Sequence, residues 1–336
     1  VGLIITLLAL VVAGGVYQRI ALARHRRMFG PPGQLIDVGG HRLHALCRGR
    51  GSPLVLLESA IAASSLSWAR VQPAIAEFTQ VCAYDRAGLA WSDPPCRPPT
   101  FDGIVDELGA LLAKVAPRDR CVLVGHSFGS LIVRAYAARH PSQVAGLVLV
   151  DPPMEWLRDT RERARMLSGG RRLSKVGALL AHVGVVRASL ALLSGGAPGV
   201  PRRFVKIFGP TAARTLERMV GEVQKLPPEL HPVVQAHWCQ PKCFHAMADY
   251  MLALERDGGS IATLVPPRDI PVVVISSGRQ PPEEIAEHRA LAQASLAGRH
   301  IVAEASGHWV PFDEPHVIVA AVRQLVESVS EGTQNL

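Results

Sequence analysis

The stretch that most constrains this chain runs from Cys121 to Arg139. Cys121-Val122-Leu123-Val124 is a continuous apolar run of strand length, Gly125-His126-Ser127-Phe128-Gly129 follows it, and Ser130 to Arg139 carries helical spacing. A strand that passes straight into a helix leaves room only for a tight turn with the serine at its apex. Side chains two before and two after that serine would collide with neighbouring backbone, and Gly125 and Gly129 remove them. The turn aims the Ser127 hydroxyl outward at a helix N-terminus, whose unpaired N–H groups favour developing negative charge. Ser127 is therefore the candidate nucleophile; a bare Gly-x-Ser-x-Gly also occurs as an ordinary tight turn, and the flanking strand and helix separate the two readings.

The rest of the chain repeats the rhythm of that stretch. Leu54 to Leu57, Gln80 to Tyr84, Cys121 to Val124, Gly146 to Val150 and Pro271 to Ile275 are unbroken apolar runs, as expected of strands buried on both faces of a parallel sheet. Phe101 to Val115, Ser130 to Arg139, Glu283 to Ala297 and Pro315 to Ser328 read as the helices between and after them, which predicts an α/β fold with a mostly parallel, doubly wound sheet. The rhythm stops between Pro152 and Arg268, where helix-like pieces rich in Arg or Leu replace strands. The expected organisation is a core over residues 34–151 and 269–330, with a helical cap inserted over 152–268. A length of 336 residues suits one large domain of this kind.

Ahead of the core, residues 1–16 carry no charge, and the apolar run reaches Ala23 interrupted only by Gln18 and Arg19. That is long enough to cross a bilayer. A cleaved signal would carry its positive charge before the run, whereas Arg24, Arg26 and Arg27 follow it, so the expectation is an uncleaved anchor over 1–23 and a basic, Pro/Gly linker over 24–33. The positive-inside rule then puts the catalytic domain in the cytoplasm. The net charge of +8 is spread along the chain without an aromatic-interleaved basic stripe, which speaks against nucleic acid and for anionic headgroups beside the anchor. Six irregularly spaced cysteines read mostly as buried thiols rather than a disulfide framework.

A serine hydroxyl needs a base. Of thirteen histidines, His308 is the best placed, in Glu304-Ala305-Ser306-Gly307-His308-Trp309-Val310-Pro311, after the strand-like His300 to Ala303 and before the last helix. His41, His44, His140, His182, His231, His288, His300 and His316 read as turn or helix-surface residues without partners, and His126 as a residue that packs or orients the turn. His237, Cys239, Cys243 and His245 lie within nine residues, but structural zinc sites space their ligand pairs farther apart, so cap packing or a disulfide is the expectation and no metal or cofactor is called for.

These residues resemble the α/β-hydrolase superfamily over Gln34 to Val329. Besides the Ser127 turn and the Ser306-Gly307-His308 segment, Tyr84-Asp85-Arg86-Ala87-Gly88 with Trp91-Ser92 is similar to that family's Tyr-Asp-Arg-x-Gly-x-x-x-Ser turn, and Trp68 to Pro73 to its Trp-x-x-Val-x-Pro helix. The resemblance implies an oxyanion hole built from the backbone N–H of Phe128 and a second N–H from the loop after the third strand. Where that loop usually reads His-Gly, this chain reads Glu58-Ser59-Ala60-Ile61, which offers Ala60 or Ile61 as the donor. The family's usual acid position follows the strand at Val272 to Ile275, where no carboxylate occurs before Glu283 and Glu284. Asp151, directly after Gly146 to Val150, occupies the position used by some members and is the favoured acid.

The reading is acyl transfer to water. Ser127 attacks, His308 moves the proton, Asp151 orients His308, and the expected substrate is a small-molecule, lipophilic carboxylic ester with an apolar acyl or alcohol portion. Aminopeptidase chemistry of the proline iminopeptidase kind remains an alternative if cap carboxylates (Glu155, Glu217, Glu222, Glu229, Glu255) hold a substrate ammonium. A non-catalytic ligand receptor is another. Dehalogenases and epoxide hydrolases of this superfamily use an aspartate where Ser127 stands.

Overall fold

The computed structural model describes residues 2–117, 120–154, 160–194 and 223–334. Eight strands form one sheet: β1 Gln34–Asp37, β2 Arg42–Arg48, β3 Val55–Glu58, β4 Val81–Tyr84, β5 Cys121–His126, β6 Val144–Val150, β7 Val272–Ser277 and β8 Arg299–Ala303. Their order across the sheet is β1-β2-β4-β3-β5-β6-β7-β8. Only the β1–β2 and β2–β4 pairings are antiparallel; the others are parallel. The apolar runs became strands because both faces of the sheet are covered. In β5, Leu123 belongs to one hydrophobic core while Val122 and Val124 belong to the other. Each fully buried Leu or Val contributes about 1.5–3 kcal/mol.

Helices α2 Gln72–Ile75, α3 Phe101–Val115, α4 Phe128–Arg139, α9 Pro282–Gln293, α10 Val310–Asp313 and α11 Pro315–Gln334 flank the sheet. Thr100 caps α3 by accepting from the Gly103 N–H at 3.0 Å. Trp68 and Ile75 pack with Ile318 and Leu325 on one face of the sheet, and Phe101, Leu108, Phe128 and Tyr136 cover the other.

Between β6 and β7 lie α5 Arg161–His182, α6 Val185–Ser194, α7 His231–Trp238 and α8 Pro241–Thr263. Helices α5 and α8 pack side by side at close range because α5 carries glycines at the contact. A Cβ on Gly177 would come within 2.5 Å of the Phe244 ring. Toward the sheet, Lys225 pairs with Asp313 at 2.7 Å.

Helix α1, Gly2–Met28, is long and apolar enough to cross a membrane. It runs unbroken through Arg24, Arg26 and Arg27, so the expected linker is helical up to Met28. Its second half is docked rather than free. A Cβ on Gly14 would come within 2.2 Å of the Val183 carbonyl, and Gln18 donates to the Cys239 carbonyl at 2.6 Å and accepts from Arg187 at 2.8 Å.

Two cysteines depart from the expectation. Cys47 and Cys82 face each other across β2 and β4 and form a disulfide. Cys121, Cys239 and Cys243 are buried thiols, and Cys96 is exposed. Spacing along the chain hid the pair because cross-strand register, not sequence separation, brings the two sulfurs together.

Candidate active site

Ser127 stands between β5 and α4 with φ 53° and ψ −119°, in the positive-φ region that non-glycine residues enter only at a cost of about 1–3 kcal/mol. The conformation is held from both sides: Ser127 N–H donates to the Val150 carbonyl at 2.9 Å, and its own carbonyl accepts from Ser130 N–H at 2.9 Å and Ser130 Oγ at 2.6 Å. The two glycines are required here. A Cβ on Gly125 would lie 2.6 Å from the Gly129 backbone, and one on Gly129 would lie 2.5 Å from the Glu58 carbonyl.

Because His126 pairs with Val150 in parallel register, the next residues on β5 and β6, Ser127 and Asp151, leave the sheet side by side. Asp151 also has a positive φ, 45°, and is fully buried. Its Oδ1 accepts from the Ser277 N–H at 3.0 Å, and its Oδ2 from the Gln280 amide at 3.0 Å and from His308 Nδ1 at 2.6 Å. Burial pushes the carboxyl up, but the hydrogen bond and charge of His308, with the Ser277 and Gln280 donors, outweigh it and hold Asp151 below the usual carboxylate range. With Nδ1 committed to Asp151, Nε2 is the His308 nitrogen free to serve Ser127. No hydrogen bond joins it to the serine hydroxyl in this resting geometry, and such contacts often tighten only around substrate. His308 keeps a quarter of its side chain exposed.

His126 links the two sides. Its Nε2–H donates to the His308 carbonyl at 2.8 Å, and the two rings lie 5.0 Å apart. Burial, aided by His308, lowers its pKa to about 3, so it stays neutral. Glu283 and Glu284 sit in the first turn of α9 and make no hydrogen bond to His308 among the described residues. Glu255 of the cap pairs with Arg171; Glu229 lies in the short turn before α7, and Glu155, Glu217 and Glu222 fall outside the described residues.

Phe128 opens α4, and the loop after β3 comes close to that helix start: a Cβ on Gly129 would lie 2.7 Å from the Ser59 carbonyl. The sequence reading missed what shapes that loop. Arg86 reaches from the end of β4 and donates to three successive carbonyls, Ser59 at 2.6 Å, Ala60 at 2.5 Å and Ile61 at 3.1 Å, which turns the loop's oxygens away. Among the described residues no protein acceptor takes the Ala60 or Ile61 N–H. The same guanidinium pairs with Glu58, which also accepts from the Tyr84 hydroxyl, and it lies 5.2 Å over the Phe128 and Tyr250 rings. Burial raises the Glu58 carboxyl despite Arg86 and Tyr84, and Glu58 in turn holds the Arg86 charge. A signal for this was present: Glu58 and Arg86 are opposite charges at the ends of apolar runs, and buried charges must be paired.

Five histidines expected to lack partners have them: His41 pairs with Glu107 at 3.2 Å, His231 meets the Leu226 carbonyl at 3.0 Å, and the fold brings partners to three more. His44 is fully buried and meets Asp85 at 2.8 Å, His288 meets Ser276 Oγ and the Pro152 carbonyl, both at 2.8 Å, and His300 meets the same Ser276 hydroxyl at 2.8 Å. Folding supplied most of these partners from strands and loops far along the chain, which a local reading could not reach. Of the His/Cys cluster in the cap, Cys243 Sγ donates to the His237 carbonyl at 3.2 Å, and no group of three metal-ligating side chains occurs among the described residues.

A family model of the alpha/beta hydrolase fold matches residues 53–173. An AB hydrolase superfamily protein of Gibberella zeae is 27% identical over 82% of this chain and 87% of its own length. A haloalkane dehalogenase of Sphingobium indicum is 31% identical over 37% of this chain and 44% of its own. The solved structure of the epoxide hydrolase CorEH aligns with a TM-score of 0.64 at 18% identity, over 88% of this chain and 98% of that one, a likeness of fold. Two further curated relatives are matched over only 19% and 15% of their length.

Proposed function

Because the chain belongs to the α/β-hydrolase superfamily, we propose that it is a serine hydrolase that cleaves a carboxylic ester through an acyl-enzyme on Ser127. The observation that carries this reading is the 2.6 Å contact between His308 Nδ1 and the buried Asp151, on a histidine bound through its own carbonyl to the residue preceding Ser127. In this mechanism His308 Nε2 takes the Ser127 proton as Oγ attacks the carbonyl carbon. The tetrahedral oxyanion is stabilised by the N–H of Phe128 and that of Ala60 or Ile61, and His308 then protonates the departing alkoxide. Water, deprotonated by the same nitrogen, releases the acid. Asp151 keeps the imidazole in the tautomer this requires and stabilises the imidazolium.

An apolar substrate portion is supported by Leu66, Trp309 and Phe312 of the core meeting Val234 and Trp238 of the cap, next to His308. A serine at the nucleophile position favours ester cleavage over the reaction of the dehalogenase relative. Helix α1 is read as a membrane anchor, and the Cys47–Cys82 disulfide supports placing the domain outside the cytoplasm. Incubation with a fluorophosphonate should label Ser127 alone, and a series of p-nitrophenyl esters should be hydrolysed faster as the acyl chain lengthens from acetate. Labelling that survives Ser127→Ala, or a preference for short charged esters, would overturn the proposal.

A further inference from the structure

Helix α1 does more than tether the domain: between its docked half and the cap runs a groove of about 980 Å³. We propose that this groove holds one anionic phospholipid, an inference that rests on reading α1 as a membrane anchor. One end of the groove is apolar. Val12 and Val16 of α1 line it against Val183 of the cap, and both valines belong to the exposed apolar face of the helix that would meet lipid. The other end is basic, with Arg19 and Arg26 on the same wall. From Val12 to Arg26 is fourteen residues, about 21 Å of helix, so the groove runs from acyl-chain depth to headgroup depth. Arg19 and Arg26 form no ion pair among the described residues, whereas Asp93, the acidic residue of the lining, is already bound by Arg42 at 2.8 Å. The unspent charge is positive, and a lipid phosphate complements it.

His237 adds an independent pointer. It lines the groove, is 7% exposed, and its Nδ1 accepts from the Gln240 amide at 2.9 Å. That bond leaves the proton on Nε2, which is buried without a partner. A buried donor without an acceptor is costly, and an ester or phosphate oxygen of a lipid in the groove would satisfy it. Helix α7, which carries His237, turns Val234 and Trp238 to the cluster beside His308, so this site is separate from the one that holds the ester.

The test uses the full chain in neutral detergent, titrated with a short-chain phosphatidylglycerol and read by native mass spectrometry. One lipid should bind saturably. Arg26→Glu should weaken binding by about tenfold or more, and Gly15→Leu, which fills the groove where a Cβ has 3.9 Å of clearance, should weaken it as well. Arg24→Glu, on the same helix but outside the lining, should leave it unchanged, because a general surface charge would respond to both arginines and a site only to one. Equal loss in the Arg24 and Arg26 variants, equal binding of phosphatidylcholine, or equal binding of glycerol phosphate would each overturn the lipid site. Alkaline extraction of membranes reads the anchor separately: chain that stays with the membrane yet binds no phosphatidylglycerol refutes the groove alone, and chain that is released refutes the anchor.

Discussion

Two buried carboxylates at strand ends on the same edge of the sheet are treated in opposite ways. Asp151, after β6, is held in the charged form by a backbone N–H, an amide and an imidazole, and that imidazole is a quarter exposed. Glu58, closing β3, is pushed up by burial and locked to Arg86 and Tyr84, none of them reachable by solvent. One carboxylate keeps its charge beside an imidazole that solvent reaches; the other spends it on a guanidinium whose remaining donors hold the backbone of residues 59–61. Under the proposed mechanism the chemistry and the scaffold of the site are carried by separate ionic groups. Substitutions should separate them too: changes around Asp151 should cost rate with little stability, and changes around Glu58 should cost both.

The largest effect belongs to the proposed nucleophile. Ser127→Ala should lower kcat for a p-nitrophenyl ester by at least about 10⁴-fold and abolish fluorophosphonate labelling. Its Tm should stay within a few degrees of the parent, since the bonds that hold the turn are made by the Ser127 backbone. Asp151→Asn should come next, at about 10³–10⁴-fold in kcat, because an amide cannot fix the His308 tautomer. Loss of Tm comparable to that of an Arg86 variant would break the distinction drawn above.

On the other side, Arg86→Met leaves Glu58 buried without its counter-charge, a change that typically costs about 3–5 kcal/mol. It also frees the carbonyls of Ser59, Ala60 and Ile61, and mispositioning one oxyanion donor costs about 10²–10³ in kcat. The double variant Glu58→Gln with Arg86→Met sharpens the comparison. Glutamine keeps an acceptor for the Tyr84 hydroxyl and removes the orphan charge, so thermal unfolding should recover much of the lost Tm while the ester assay stays low. Recovery of both would mean that Arg86 matters to the site only through the fold.

These two carboxylates were unequally legible in the sequence. The turn at Ser127 could be read because it imposes local requirements, two glycines and a strand-to-helix junction, that sit within nine residues. The places of His308 before the last helix and of Asp151 at a strand end could be read, although only folded coordinates show β6 and β7 adjacent and Ser277 and Gln280 closing on the carboxylate. Arg86 was visible as part of a familiar turn, but its target could not be, since its partners come from β3 and the loop after it, some 25 residues upstream. The same holds for Cys47 with Cys82 and for His44 with Asp85. Partnerships made by register across the sheet leave no local signature, whereas turns and caps do.

The smallest expected effect tests how far the Arg86 charge extends. Glu107, on α3, is raised to about 7, first by burial and against the attraction of Arg86, with the Glu58 charge adding to the rise. A carboxyl whose pKa rises on folding binds more protons in the native state, so its contribution to stability is present below about pH 4.5 and is lost as pH climbs to about 7. Glu107→Gln removes that loss. Between pH 5 and pH 8 the variant should therefore lose less stability than the parent, by on the order of 1 kcal/mol or about 2–4 °C in Tm. In an Arg86→Met background the attraction is gone, so the carboxyl should stay protonated to higher pH, and the decline, which still begins near pH 4.5, should extend further. If thermal scans instead show the same pH slope with and without Arg86, the guanidinium is spent wholly on Glu58 and the loop carbonyls, and the two ionic groups are more sharply divided than their shared edge suggests.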